Sequence, residues 1–302
     1  MDYGVVLKRA WDITRKNKGL WILGILAGCG ANGANPSQSF SWQTSQGEFP
    51  FLDRSFENLP ADRLWLIVAG LICLVLLIVV VFLVLGTLGQ TGLIAGINHA
   101  DEEGAVTLAR AWSLGLPHFW RMLGMTLLVG AAVFILALVL TVVLVAGSVL
   151  TLGLALVCLI PLICLVVPLA FVVQMYLKFV QNSIVVEKRG IFDSFGRAWQ
   201  VVSANLGPVI VMGIILILTA AIGGFLLVLP LIVGAFPLLV ALGSGEPSQG
   251  TLVAGVLCFA VYLPVLLAGS GVLQTFVYSA WTLTYRRLAG LGLTAVAVPS
   301  PG

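Results

Sequence analysis

Long apolar runs alternate with short polar stretches along this chain, and the alternation predicts helices that cross a membrane. The hydrocarbon core of a bilayer needs about 20 consecutive apolar residues per helix. Leu64–Leu88 meets that length, and the uncharged run Met122–Leu177 is long enough for two spans. Leu206–Leu242 and Thr251–Tyr285 predict two more, and Gly19–Gly30 is a shorter candidate. The pattern therefore predicts an all-α, polytopic membrane bundle of six transmembrane helices.

A different pattern fills the polar stretch Ile191–Pro208. Its apolar residues recur at helical spacing and form one stripe: Ile191, Phe195, Ala198 and Val202. Its polar residues fall on the opposite side: Asp193, Arg197, Gln200 and Ser203. Such a segment is typical of an amphipathic helix that lies flat at a membrane surface.

The triplet R-A-W occurs three times, each time before a predicted outward span. The copies are Arg9-Ala10-Trp11, Arg110-Ala111-Trp112 and Arg197-Ala198-Trp199. Their spacing predicts one transmembrane domain, residues 1–290, built from three repeats of a surface helix and two spans. The predicted repeats are residues 1–100, 101–186 and 187–290, followed by a disordered tail at 291–302.

Each predicted inward span carries a glutamine, followed eight residues later by Asn or Thr. An amide that faced lipid would leave its polar atoms unpaired, so we expect these side chains to point into the bundle. Two arrangements are open: a directly paired polar knot, or a small vestibule that holds water. The residues of this candidate polar pocket are Gln90, Asn98, Gln174, Lys178, Asn182, Gln274 and Thr282.

Basic residues are distributed unequally between the two predicted sides of the membrane. Arg54 and Arg63 fall on one side, and the other 13 of the 15 Lys and Arg residues fall on the side of both termini. Cytoplasmic loops of membrane proteins carry an excess of Lys and Arg. The chain is therefore predicted to be a multi-pass membrane protein with both termini in the cytoplasm.

Composition narrows the possible functions without selecting one. A content of 60% hydrophobic and 9% charged residues excludes a soluble domain. A net charge of +3 from scattered basic residues argues against a nucleic-acid partner, which leaves the lipid bilayer and another membrane protein as predicted partners. His99 and His118 are too few for a metal site, and Asp101-Glu102-Glu103 is predicted to be a solvated turn. No catalytic, cofactor-binding or metal-binding residue is predicted.

Two stretches carry a resemblance to a known group of proteins. They are NSIVVEKRGIFDSFGRAWQVVSANLGPVI, from Asn182, and DYGVVLKRAWDITRKNKGLWILGILAG, from Asp2. Both resemble segments of bacterial multi-pass proteins of unknown function that are similar to the membrane domain found beside some glycerophosphodiester phosphodiesterases. The resemblance implies a six-span core. The sequence contains no phosphodiesterase barrel, so no catalytic residue can be carried over.

One motif competes with this topology. Leu26-Ala27-Gly28-Cys29 matches a bacterial lipobox, and processing there would remove the first predicted span and attach lipid to Cys29. The cleaved peptide would, however, contain a complete R-A-W helix.

Together with this resemblance, the sequence predicts an uncharacterised, non-enzymatic, multi-pass protein of the bacterial inner membrane that acts as a scaffold or accessory subunit for lipid or envelope functions. The absence of acidic residues from the predicted spans weighs against ion-coupled transport. The alternative is a passive transporter or channel with a polar, uncharged lumen.

Overall fold

The computed structural model describes residues 2–29, 61–150, 159–243 and 249–291, and this part of the chain is helical without strands. The helices are α1 (Tyr3–Lys16), α2 (Gly19–Cys29), α3 (Ala61–Glu103), α4 (Leu108–Gly115), α5 (Phe119–Leu150), α6 (Leu159–Val186), α7 (Ile191–Ala204), α8 (Leu206–Gly243) and α9 (Gln249–Leu288). A short 3-10 turn, Leu116–His118, joins α4 to α5. Most of the predicted tail lies outside the described residues.

Five of the described helices are long and apolar enough to cross a membrane: α3, α5, α6, α8 and α9. The sixth predicted span corresponds to α2, which has 11 residues. At ~1.5 Å per residue α2 is ~16 Å long, about half of the ~30 Å hydrocarbon core. The chain is a membrane protein with five candidate spans in its described part, and a sixth span is not confirmed.

The polar connections between the helices gather at one end of the bundle, which we call the polar end. Arg9 of α1 contacts Asp101 at the end of α3, and Arg121 near the start of α5 donates to the Lys188 carbonyl oxygen at 2.8 Å. Arg287 near the end of α9 donates to the carbonyl oxygen of Asp2 at 3.3 Å. The two ends of the described chain therefore lie on the same side of the molecule.

The buried core lies close to the polar end. It includes residues 89–97 of α3, 179–185 of α6 and 278–286 of α9, where consecutive side chains are buried on every face of the helix. The helices α3, α6 and α9 contact one another in pairs, and α9 also contacts α1, α2 and α8. The last turns of α9 are therefore the centre of the molecule.

Glycines allow the short helix α2 to pack between α3 and α9. A Cβ atom on Gly24 would lie 2.4 Å from the carbonyl oxygen of Gly271, and one on Gly89 would lie 2.5 Å from the Ala27 nitrogen. Lipid provides no hydrophobic drive between helices, so small residues that permit close backbone contact are the expected means of packing. Ala27, within the lipobox motif, is only 1% exposed and belongs to the core.

The apolar helices lose their neighbours away from the polar end. Residues 65–82 of α3, 130–143 of α5 and 164–170 of α6 are exposed on every face. A helix that packs along one side has a buried residue at every third or fourth position, and these segments have none. The helices α8 and α9 remain paired, since the Tyr262 hydroxyl donates to the Leu227 carbonyl oxygen at 2.7 Å.

Candidate functional site at the polar end

The three R-A-W triplets share one burial pattern. Their central alanines, Ala10, Ala111 and Ala198, are all 0% exposed. In contrast, Trp11 and Trp199 are 51% and 65% exposed, and Trp112 is partly buried. Each triplet therefore presents an alanine to the core, where a larger side chain would not fit. The neighbouring aromatic ring reaches the surface.

The three predicted glutamines lie apart. Gln90 is 2% exposed, whereas Gln174 and Gln274 are partly buried. The side chain of Gln274 lies beside Gly28 of α2, and Gly89, the neighbour of Gln90, contacts the opposite side of the same helix. Because α2 lies between α3 and α9 at this level, these two amides are separated. Within the described part of the chain no amide of the three hydrogen-bonds another, so the structure does not form the direct knot.

Three other members of the candidate pocket, Lys178, Asn182 and Thr282, lie on α6 and α9, which contact each other. The Lys178 ammonium donates to the Tyr278 hydroxyl at 2.9 Å and lies 4.2 Å from the centroid of that ring. The Asn182 amide donates to the Lys178 carbonyl oxygen at 2.8 Å. Asn182 Oδ1, Ser279 Oγ and Thr282 Oγ1 are buried without a hydrogen-bond partner among the described residues. These three buried polar atoms therefore remain able to form further hydrogen bonds.

Aromatic rings fill the space beside these polar atoms. Phe179 of α6 contacts the edges of Trp281 and Tyr285 of α9, with centroid distances of 5.9 and 5.7 Å. Phe179 is 1% exposed and Tyr285 is 0% exposed. At this level the interface between the two helices is closed by packed rings.

Asn98 belongs to a different group, which we call the Arg286 cluster. Arg286 donates to the carbonyl and side-chain oxygens of Asn98 at 3.1 and 3.0 Å, and it pairs with Asp101 at 3.4 Å and Glu102 at 3.0 Å. Arg9 of the first triplet contacts the other Asp101 carboxylate oxygen at 3.1 Å. The cluster joins α1, α3 and α9.

The Arg286 cluster corrects one prediction. The Asp101 side chain is only 4% exposed, so the segment Asp101-Glu102-Glu103 is not a fully solvated turn. The pairing was not visible in the sequence because Asp101 and Arg286 are far apart along the chain. The signal available in the sequence was Arg9, a basic residue of a repeated motif, since Arg9 pairs with Asp101.

Sequence analysis also missed Glu187, in the connection between α6 and α7. Its carboxylate accepts hydrogen bonds from Tyr285 at 2.5 Å, Arg189 at 2.5 Å and Arg197 at 3.2 Å, and its side chain is 8% exposed. Burial by itself would raise the pKa of this carboxyl, but the three donors lower it below its ordinary value of 4.5. Arg197 also donates to the Ala289 carbonyl oxygen at 3.2 Å, so Glu187 ties α6 and α7 to α9.

A cavity of about 570 Å³ opens at the polar end between α3, α4, α5 and the end of α6. Its wall includes both histidines of the chain, His99 and His118. Arg121 and Lys188 lie in the same wall, and both are exposed. Among the described residues no group of three or more His, Cys, Asp or Glu side chains could hold a metal ion.

Comparison with known proteins gives one match. The family of unknown function DUF7544 covers residues 19–294, nearly the whole chain, and the protein belongs to that family. No curated protein and no solved structure matches the chain. The family match agrees with the prediction of an uncharacterised protein, whereas it establishes no link to glycerophosphodiester phosphodiesterases.

Proposed function

We propose that this member of family DUF7544 is a membrane scaffold or accessory subunit without enzymatic activity. In this proposal the polar end is a rigid platform. The exposed apolar residues 65–82 of α3 and 130–143 of α5, which we call the bare segments, bind the transmembrane helices of another membrane protein. The observation that carries the proposal is the exposure of residues 65–82 and 130–143 on every face, next to a closely packed polar end.

Two glycines in the bare segments support this role. A Cβ atom on Gly70 or Gly130 would meet nothing within 4 Å, so neither glycine is needed for packing within the described chain. Glycine in a helix costs roughly 1 kcal/mol relative to alanine. A partner helix that approaches closely would give these positions a use, as Gly271 gives one to Gly24 within the protein.

The closed interface between α6 and α9 supports a scaffold over a channel. The rings of Phe179, Trp281 and Tyr285 pack against one another across this interface. Open channels require a continuous polar or wetted lumen. At this level the interface between α6 and α9 is instead filled by these three rings.

The proposed function also includes an orientation of the polar end in the membrane and a threefold internal repeat. The polar end faces the cytoplasm of a bacterial inner membrane, because 13 of the 15 basic residues fall on its side of the predicted topology. We infer three repeats, each with an amphipathic surface helix, and six spans in the whole chain. The matched burial of Ala10, Ala111 and Ala198 supports the repeat.

A photo-crosslinking residue at Ile72 or Phe134 tests the partner role in native membranes, since both side chains are exposed on bare segments. We expect one discrete protein adduct from each position, and loss of the adduct in a Gly70→Leu, Gly130→Leu double variant. Gly196 and Gly207 also meet nothing within 4 Å, so Gly196→Leu with Gly207→Leu is the matched control. Adducts with lipid alone at both positions would contradict the proposal.

A second candidate function is a passive transporter or channel. The unpartnered atoms of Asn182, Ser279 and Thr282 favour it, since buried polar atoms without partners are unusual in packed helices. Solute flux in liposomes distinguishes the two functions. The scaffold proposal expects no flux above that of empty liposomes, whereas flux that Thr282→Val abolishes would establish the channel.

A further inference from the structure

The cavity between α3, α4, α5 and α6 carries excess positive charge. Among its lining residues are the cations Arg121 and Lys188, with the histidines His99 and His118, and one acid, Glu102. The Glu102 carboxylate already pairs with Arg286 at 3.0 Å. Glu102 is therefore paired with Arg286, which lies outside the cavity wall. It does not pair with Arg121 or Lys188.

Neither Arg121 nor Lys188 pairs with a carboxylate among the described residues. Arg121 donates to two backbone carbonyl oxygens, those of Lys188 at 2.8 Å and Arg189 at 3.4 Å. The Lys188 ammonium has no hydrogen-bond or ion-pair partner within the described residues, whereas its neighbour Arg189 pairs with Glu187. Two full positive charges thus border one cavity.

The backbone at Lys188 is held in a costly conformation. Lys188 has φ of 56°, the only positive φ among the described non-glycine residues. A bulky side chain in the left-handed region is uncommon, and such strain is concentrated at functional positions. The hydrogen bond from Arg121 to the Lys188 carbonyl oxygen joins the two cations, so this turn and the start of α5 are positioned together.

The size and position of the cavity indicate the class of ligand. A volume of about 570 Å³ lies within the ~300–1,000 Å³ range of small-molecule sites. Trp120, next to Arg121, is 76% exposed at the start of the spanning helix α5, as expected of a residue at the membrane–water boundary. Arginine and lysine together are suited to a phosphate group, which guanidinium binds through paired donors. The two histidines are already engaged, His99 by the Glu103 carboxylate at 3.3 Å and His118 by the Leu114 carbonyl oxygen at 3.3 Å.

We propose that this cavity binds an anionic, phosphate-bearing group, with Arg121 and Lys188 as the charged contacts and Asn98 and Ser113 as polar neighbours in its wall. The phosphate group can belong to an anionic phospholipid at the membrane surface or to a free phosphate in solution. Neither source depends on the proposed partner-binding role of α3 and α5, so the two proposals are tested separately.

Native mass spectrometry of the purified full chain in detergent tests the site. The protein is titrated with phosphatidylglycerol, with phosphatidylcholine, and with inorganic phosphate. We expect the Arg121→Gln, Lys188→Gln double variant to lower the affinity for the anionic ligand at least about tenfold, because both charged contacts to the anion are removed. Preference for phosphatidylglycerol identifies a lipid source, and binding of inorganic phosphate alone identifies a soluble one.

The matched control is Lys8→Gln with Arg15→Gln, which removes two exposed cations of α1 that lie outside the cavity wall. This control should retain the affinity of the unmodified protein. Equal losses in both double variants would mean general attraction to positive charge and would overturn the site. Absence of any binding of the three probes would overturn it as well.

Two further variants keep the test valid if loss of Arg121 impairs folding. Lys188→Gly removes one cation and suits the positive φ, so we expect binding to weaken while the unfolding temperature stays equal or rises. Ser113→Trp, at an exposed position of the wall, narrows the cavity and leaves every charge in place. Unchanged binding in both variants would overturn the proposal.

Discussion

The two ends of this helical bundle are built in different ways. At the polar end, Asp101 and Glu187 are 4% and 8% exposed and are held by arginines of other helices, and glycines bring α2 against α3 and α9. Away from it, the apolar segments of α3, α5 and α6 have no buried side. Tertiary structure in the described chain is therefore concentrated at one end.

This difference follows from the two surroundings. Lipid is as apolar as a leucine side chain, so an apolar helix loses little when it has no neighbour. A carboxylate beside the bilayer must instead find donors, because burial of an unpaired charge is very unfavourable. Ion pairs and close backbone contacts then determine which helices meet.

Removal of the Arg286 side chain should cause the largest loss of stability. In Arg286→Leu the buried Asp101 carboxylate loses a partner, and breaking a buried ion pair typically costs about 3–5 kcal/mol. The adjacent Arg287, which bonds only an exposed carbonyl oxygen at 3.3 Å, provides the control Arg287→Leu. Unfolding in mixed detergent and SDS micelles measures both. Equal losses in the two variants would show that the Arg286 cluster has no special role.

A methyl group at the contact between α2 and α9 should have the next largest effect. In Gly24→Ala the new atom would meet the Gly271 oxygen at 2.4 Å and Thr275 Oγ1 at 2.5 Å, and such overpacking costs about 1–3 kcal/mol. In Gly70→Ala the new atom meets nothing, so the same unfolding assay should show no loss, or a gain of up to about 1 kcal/mol. A stable Gly24→Ala protein would contradict the close packing of α2.

Acid should weaken the polar end through Glu187. Its pKa is lower in the folded protein than the ordinary 4.5, so its contribution to stability is complete above pH 4.5. That contribution is lost as the pH falls through the lowered pKa of the folded state. Unfolding measured from pH 6 to pH 3 should show this loss. Glu187→Gln should be less stable at pH 6 and less dependent on pH below 4.5; an unchanged profile would exclude the proposed role.

The smallest effect is expected in the bare segments. Phe134 is 69% exposed on α5, and its ring faces the detergent or lipid in the absence of a partner. Phe134→Ala should therefore change the free energy of unfolding of the purified protein by no more than about 0.5 kcal/mol. The buried Phe179 is the matched aromatic residue, and Phe179→Ala should cost several kcal/mol. A large loss from Phe134→Ala would mean that the bare segments pack within the protein.

Much of the fold could be predicted from local patterns. Hydropathy located the five long apolar helices, because the length needed to cross a bilayer is set by its thickness. The R-A-W motif located α1, α4 and α7, and its alanines proved to be buried at all three sites. The shortness of α2 was less predictable. Glycine contacts with two neighbouring helices hold it, and these contacts appear only after folding.

The sequence marked Lys178, Asn182 and Thr282 as polar residues of inward spans. In the structure Lys178 contacts Tyr278 of α9, and Asn182 and Thr282 are buried. The sequence could not show that α2 separates Gln90 from Gln274, nor that Asn98 serves Arg286 instead of a shared pocket. Those outcomes depend on the order of helices around α9, which hydropathy does not encode.

By itself the sequence determined that this is a helical membrane protein with a basic end, because apolar length and charge act locally along the chain. The tertiary structure alone decided which distant charges pair and where space is left. Glu187 meets Tyr285, and Asn98 meets Arg286, across 98 and 188 residues of chain. Such partners are selected by helix packing distance and rotation, so the ion-pair clusters and the cavity between α3, α4, α5 and α6 exist only in the folded molecule.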